Sequence, residues 1–164
     1  MAIRDYLLNR HVPFEVVLHR PAPCASRLAE CMHVPGRSVA KAVLLRAGGG
    51  YLLAVLPATH RVDLARLRET LGLSSLSLAT EEEVVRIFHD CERGALPPFG
   101  RLYGLTTVMD PSLAGSSVIL VEGNMRHEGL RLRLRDFEAV EAPVRVRFAT
   151  EMAPRRRVPR RRAG

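Results

Sequence analysis

The sequence predicts a mixed α/β fold, with helices around a curved, largely antiparallel or mixed sheet. Apolar residues switch along the chain between the spacing of one helix face and strict alternation. Two strand-like runs flank Gly48-Gly49-Gly50, as the arms of a hairpin do. Strands and helices interleave without a regular strand–helix–strand repeat, so a purely parallel sheet is not expected. With 164 residues, 47% apolar and 26% charged, the chain can bury one core of ordinary composition.

"AIRDYLLNRH" (2–11) predicts a short amphipathic helix and "PFEVVLH" (13–19) a strand. "PAPCASRLAECMHV" (21–34) reads as a second helix, with Ala25, Leu28, Ala29 and Met32 on one stripe and Pro35-Gly36 ending it. "SVAKAVLLRA" (38–47) and "YLLAVLPA" (51–58) form the hairpin. Asp63 caps a helix that Gly72 closes. Thr80 and Glu83 stand at capping-box spacing and start a helix through Cys91. "ERGALPPFGRLYGL" (92–105), rich in Pro and Gly, predicts a loop without regular structure. Strands are expected over "TTVMD" (106–110), "SSVILVEG" (116–123), "GLRLRLRD" (129–136) and "PVRVRFA" (143–149). In the third of these, Leu130, Leu132 and Leu134 would face one side and Arg131, Arg133 and Arg135 the other.

Composition narrows the function classes. No apolar run approaches the roughly 18 residues of a membrane span, and no long apolar segment follows the N-terminus as in a signal peptide. Three cysteines, Cys24, Cys31 and Cys91, are too few and too odd a set for a disulfide framework, so a reducing cytoplasm is expected. The net charge of +8 is uneven: residues 151–164 carry six Arg and one Glu. The chain therefore divides into a domain over 1–150 and an arginine-rich arm over 151–164, expected to be disordered. Such an arm either seeks phosphates without reading sequence or is simply a solvated terminus.

Among 24 arginines there is a single lysine, Lys41, in the middle of an apolar strand. It shares a face with Val39, Val43 and Leu45, where an unpaired ammonium is costly. Either its apolar stem snorkels to the strand end, or its compact charge faces an anionic or developing-anionic ligand. "GALPPFG" (Gly94 to Gly100) offers a similar choice: a plain connector, or a rigid loop whose N–H groups converge on one oxygen. Cys24, Cys31 and His33 have no zinc spacing. His89 and Cys91 lack an orienting partner for a nucleophile. Neither a G-x-S-x-G nor a P-loop motif occurs.

Several motifs in order resemble the YbaK/EbsC family of aminoacyl-tRNA deacylases, related to the editing domain of bacterial prolyl-tRNA synthetase. They are His-Arg-Pro-Ala (19–22), "VAKAVLL", "AVLPATHRVDL", "DCERGALPPFGRLYGL" and a closing "EG…H…LRL…DF", across roughly residues 10–140. The resemblance implies a trans-editing hydrolase that cleaves the ester between a wrong amino acid and a tRNA 3′ end. It implies Lys41 as the catalytic residue, and substrate binding by Gly94, Ala95, Pro97, Pro98, Gly100 and His127. Met125 is the other candidate for the family's histidine position. No cofactor, metal or protein nucleophile is implied: water or a group on the substrate attacks. The implied partners are a mischarged tRNA and, as a second candidate, prolyl-tRNA synthetase, with no membrane. The residue after the lysine is often polar in relatives but is Ala42 here. An alternative from another class is a non-catalytic tRNA- or synthetase-binding module of the same fold.

Overall fold

A computed structural model describes residues 2–20 and 25–153, with the side chains of 25–27 outside that description. Cys24, Pro21-Ala22 of the His-Arg-Pro-Ala run, and residues 154–164 of the arginine arm therefore lie outside the described residues.

Among the described residues five α-helices and ten short strands alternate. They are α1 (Ile3–Asn9), β1 (Glu15–Leu18), α2 (Ala25–Met32), β2 (Val39–Ala47), β3 (Gly50–Pro57), β4 (His60–Val62) and α3 (Leu64–Leu71). Then follow β5 (Leu76–Leu78), α4 (Glu81–Ile87), β6 (Thr106–Met109), β7 (Val118–Glu122), β8 (Glu128–Arg133), α5 (Leu134–Glu141), β9 (Val144–Arg145) and β10 (Ala149–Glu151). The main sheet runs β1-β8-β7-β2-β3-β6-β9, with β5 also on β2 and a separate β10–β4 pair. β2 and β3 are antiparallel from Ala40↔Pro57 to Ala47↔Gly50, joined through Gly48 at φ 58°. β7 runs parallel to β2, and β6 parallel to β3, so the sheet is mixed as expected.

The two faces of β2 point into different cores, as alternation dictates. Ala40 joins Val55, Val121 and Phe99 beneath α1 (Ile3, Tyr6, Leu7) and α5 (Phe137, Val140). On the other face, Val39 packs with Leu28 and Ala29 of α2 and with Leu120, and Leu45 packs with Leu56, Leu67 and Phe148. Local chemistry sets the helix ends: Asp63 accepts from Arg66 N–H, Gly72 takes φ 64°, and Thr80 with Glu83 forms the reciprocal capping box.

Four expectations are corrected. α4 stops at Ile87, with Phe88 as its C-cap turned into the core, rather than reaching Cys91. The 92–105 stretch contains a 3-10 turn over Gly100–Tyr103. The leucine–arginine alternation does not remain a strand to 136, because β8 loses its partner at Val118↔Arg133 and the chain turns into α5 at Leu134. There Leu134, Phe137 and Val140 are buried at helical spacing, which outweighs the alternation. The strands β4 and β5 also form where none was expected.

Candidate active site

Lys41 stands where the sheet changes neighbours. Pairing of β2 with β7 stops at Ala40↔Val121, and pairing with β5 begins only at Leu45↔Leu78. The β2 edge beyond Ala40 is thus relieved of a full ladder, and Lys41 is the first residue past that point. It is half-buried and opposite the fully buried Leu56, so its stem lies on apolar surface. The next residue of β7 beyond Val121 is Glu122, which alternation places on the face of Leu120 and Val39, the face of Lys41.

Glu122 ties this strand end to the glycine–proline loop. Its Oε2 accepts the Leu96 N–H at 2.9 Å. Burial pushes its carboxyl up, opposed by the Leu96 N–H and by Arg126. The rest of the loop is clamped to the β7–β8 turn. Glu92 N–H donates to the Asn124 carbonyl at 2.8 Å, and Arg126 N–H donates to Glu92 Oε2 at 2.8 Å. Gly94 has φ 91°, a conformation few other residues adopt, and faces the Arg126 side chain. Ala95, Pro97, Pro98 and Gly100 are buried, so this segment is built into the core rather than looped over it. Phe99 anchors it between the Tyr6 and Phe137 rings, at 6.1 and 5.4 Å between centroids. At Gly100 any Cβ would collide with Thr107 Oγ1.

The loop's amides are partly spent. Ala95 N–H goes to the Glu92 carbonyl at 2.9 Å and Leu96 N–H to Glu122, so neither is left for a ligand. His127 is exposed on the β7–β8 turn, where its carbonyl accepts from His19 N–H at 2.9 Å. Met125 is 43% exposed. The structure brings Arg126, rather than either of these, against Gly94. Asn124 was not singled out from the sequence, yet it is 8% exposed and holds three segments together. Its Oδ1 accepts Ile3 N–H at 2.7 Å, and its Nδ2 donates to the Asp90 carbonyl and to Cys91 Sγ, each at 3.4 Å. The signal for Glu122 and Asn124 was a polar residue closing an apolar strand and a second one two positions on.

Cys91 lacks the surroundings of an activated nucleophile. Burial pushes its thiol up to about 11, and it sits 3.4 Å from the Tyr103 hydroxyl while His89 is exposed. Among the described residues no three His, Cys, Asp or Glu side chains gather into a metal site. Chemically, the arrangement supplies one compact cation on β2, a carboxylate on the same sheet face at the end of β7, and a stiff loop fastened to that strand end and to the β7–β8 turn.

Known proteins resemble this chain in sequence and in shape. It is 26% identical over 99 residues to a proline–tRNA ligase of Fervidobacterium nodosum, covering 60% of this chain and 17% of the ligase. It is 29% identical over 62 residues to the Thermosipho africanus proline–tRNA ligase, covering 38% and 11%. The chain thus spans less than a fifth of those relatives. A crystal structure of a hypothetical protein matches 90% of this chain and 99% of its own, at TM-score 0.82 and 17% identity. Another, titled as a candidate trans-editing enzyme for prolyl tRNA synthetase, matches 92% and 95% at TM-score 0.78 and 20% identity. These structures share the fold. The profile of the aminoacyl-tRNA editing domain matches residues 19–140, most of the chain, and the chain belongs to that family.

Proposed function

We propose that this protein is a trans-editing hydrolase that removes a small wrong amino acid (alanine, cysteine or serine) from the 3′ end of tRNA(Pro). The observation that carries the proposal is the placement of Lys41. It is the chain's single lysine, on the first β2 residue beyond the β7 ladder, beside the strand end that Glu122 fastens to the Gly94–Gly100 loop. In this reading water attacks the ester carbonyl. The Lys41 ammonium offsets the negative charge that develops, and the ester C–O bond breaks to release the amino acid and a free ribose hydroxyl. The stiff loop holds the aminoacyl group, which lowers the barrier by positioning rather than by a covalent step. In this reading the half-buried Cys91 thiol takes no part. The proposal places the protein in the cytoplasm with tRNA as partner. Prolyl-tRNA synthetase is a docking candidate.

The experiment measures release of labelled amino acid from tRNA(Pro) mischarged with alanine, cysteine or serine, with wild type and Lys41→Ala. Release by wild type that falls about 100-fold or more in the variant is expected. No release from any of the three, with tRNA still bound, would favour a binding module of the same fold.

A further inference from the structure

The last residue of α5 breaks that helix's own pattern. Leu134, Phe137 and Glu141 share one face at helical spacing, and the first two are buried in the core. The third position calls for an apolar side chain, yet it holds a carboxyl group that is fully buried. Burying an ionisable group is costly unless hydrogen bonds offset the lost water. Burial pushes the Glu141 carboxyl up, opposed by the Thr107 hydroxyl and by the Arg101 and Gly100 N–H groups.

Those partners lie where the glycine–proline loop ends and β6 begins. Glu141 Oε1 accepts the Arg101 N–H at 3.0 Å and the Thr107 hydroxyl. Gly100 and Arg101 open the 3-10 turn Gly100–Tyr103, and the first N–H groups of such a turn have no partner within it. The N-cap, Phe99, makes no side-chain cap, so Glu141 supplies one from another element. The turn is tied to α5 a second time, since the Arg101 guanidinium donates to the Val140 carbonyl at 3.3 Å. The Thr107 Oγ1 that bonds Glu141 is also the atom any Cβ at Gly100 would strike. Glycine there lets carboxyl, hydroxyl and loop backbone meet.

The loop needs outside holds because its centre cannot make its own: Pro97 and Pro98 carry no N–H. Before them, Leu96 N–H goes to Glu122 Oε2 at 2.9 Å. After them, Arg101 N–H goes to Glu141. Two carboxyl groups from distant elements thus hold the proline pair between them. Resting on the editing reading, we infer that Glu141 is a positioning residue for the reaction. It fixes the far end of the glycine–proline loop and so sets where the near end, Gly94 to Leu96, meets the aminoacyl group. The proline pair transmits the hold, because two fixed φ angles leave few ways for one end to move without the other. Glu141 is fully buried and acts only through the loop.

The test compares Glu141→Leu, Glu141→Gln and Thr107→Val in the full chain, by deacylation kinetics, amide hydrogen exchange and a thermal melt. Leucine completes the apolar stripe but removes the acceptor, glutamine keeps a carbonyl acceptor, and valine removes one donor at nearly the same volume. For Glu141→Leu, kcat is expected to fall about tenfold with KM within about twofold, since a misplaced group costs turnover rather than binding. Glu141→Gln is expected to return kcat to within about twofold of wild type, and Thr107→Val to lower it about threefold. In Glu141→Leu the Leu96 and Arg101 amides are expected to exchange about tenfold faster, while those of the β2–β3 ladder keep their rates. A role in stability alone would instead lower the melting temperature and raise exchange throughout the sheet, with kcat at the wild-type value below that temperature. That result overturns the inference, as does a Leu96 amide that exchanges at the wild-type rate. Should Glu141→Leu fail to fold, wild-type kcat and Leu96 exchange in Thr107→Val overturn it. If the wild type releases no amino acid from any mischarged tRNA, the editing reading fails, and Leu96 exchange alone decides whether Glu141 holds the loop.

Discussion

Lys41 is where the chain departs from its own habit of using arginine. An ammonium is a compact point charge, whereas a guanidinium is a wide planar fork that needs room for five donors. Past the last β7 pair, opposite the buried Leu56, the chain keeps the compact head group. Lys41→Arg keeps the charge and is expected to lose tenfold or more in kcat in the deacylation assay, with an unchanged melting temperature. Activity near wild type would show that charge alone suffices. In the proposed reading Glu122 acts through the loop, as a positioning residue. Glu122→Ala removes the acceptor of Leu96 N–H and is expected to lower turnover about tenfold, while Glu122→Gln, which keeps a carbonyl acceptor, restores most of it. The two also differ in stability. The folded Glu122 carboxyl titrates above its ordinary 4.5, so it favours the folded state at low pH and that support is lost as pH rises through the folded value. Glu122→Gln is therefore expected to be at least as stable as wild type at pH 7 in a thermal melt. A lower melting temperature would mean the carboxylate has a partner worth more than its burial costs.

At the scale of elements, α4 shows the opposite titration. Glu83 closes the capping box with Thr80 and also meets Arg46 of β2 and the Tyr51 hydroxyl of β3. The Tyr51 hydroxyl, the Thr80 N–H and Arg46 together hold its carboxyl down to about 2, against an ordinary 4.5. Stability from this group is complete above pH 4.5 and is lost as pH falls from there toward 2. Between these values the melting temperature of wild type is expected to drop more steeply than that of Glu83→Gln, and parallel curves would deny the cap this role. That helix was readable from Thr80 and Glu83 because a cap is local chemistry. So were the β2–β3 hairpin, from its three glycines, and the cap at Asp63. What could not be read was where local preference yields to partners. Leu134 alternates perfectly as a strand residue, yet it turns helical because β7 ends opposite Arg133, a fact about another segment. Phe88 ends α4 for a similar reason, since its ring is wanted in the core beside Leu44 and Leu53. The candidate site divides the same way. Lys41 and the glycine–proline loop stood out by residue type, but the Glu122–Leu96 bond and the Arg126–Gly94 contact join residues 26 and 32 positions apart.

For the whole molecule, the arginine arm and the folded body can be assigned separate parts of tRNA binding. β10 pairs with β4 through Glu151↔His60, and Met152 N–H donates to the Thr59 carbonyl at 2.9 Å. Removing residues 154–164 therefore leaves every described pairing of the small sheet in place. It deletes six of the 25 basic residues and none of the acidic ones. If the arm supplies only long-range attraction, its removal lowers tRNA affinity most at low salt, where screening is weak, and little at physiological ionic strength. In the proposed reading the ester is handled by Lys41 and the loop, both of which lie outside the removed segment. The truncated chain is accordingly expected to keep kcat within about twofold of the full chain while KM for mischarged tRNA rises, more so at 50 mM than at 200 mM salt. A fall in kcat at saturating tRNA would place the arm in the reaction itself, and affinity lost equally at all salt concentrations would make its contacts specific rather than electrostatic.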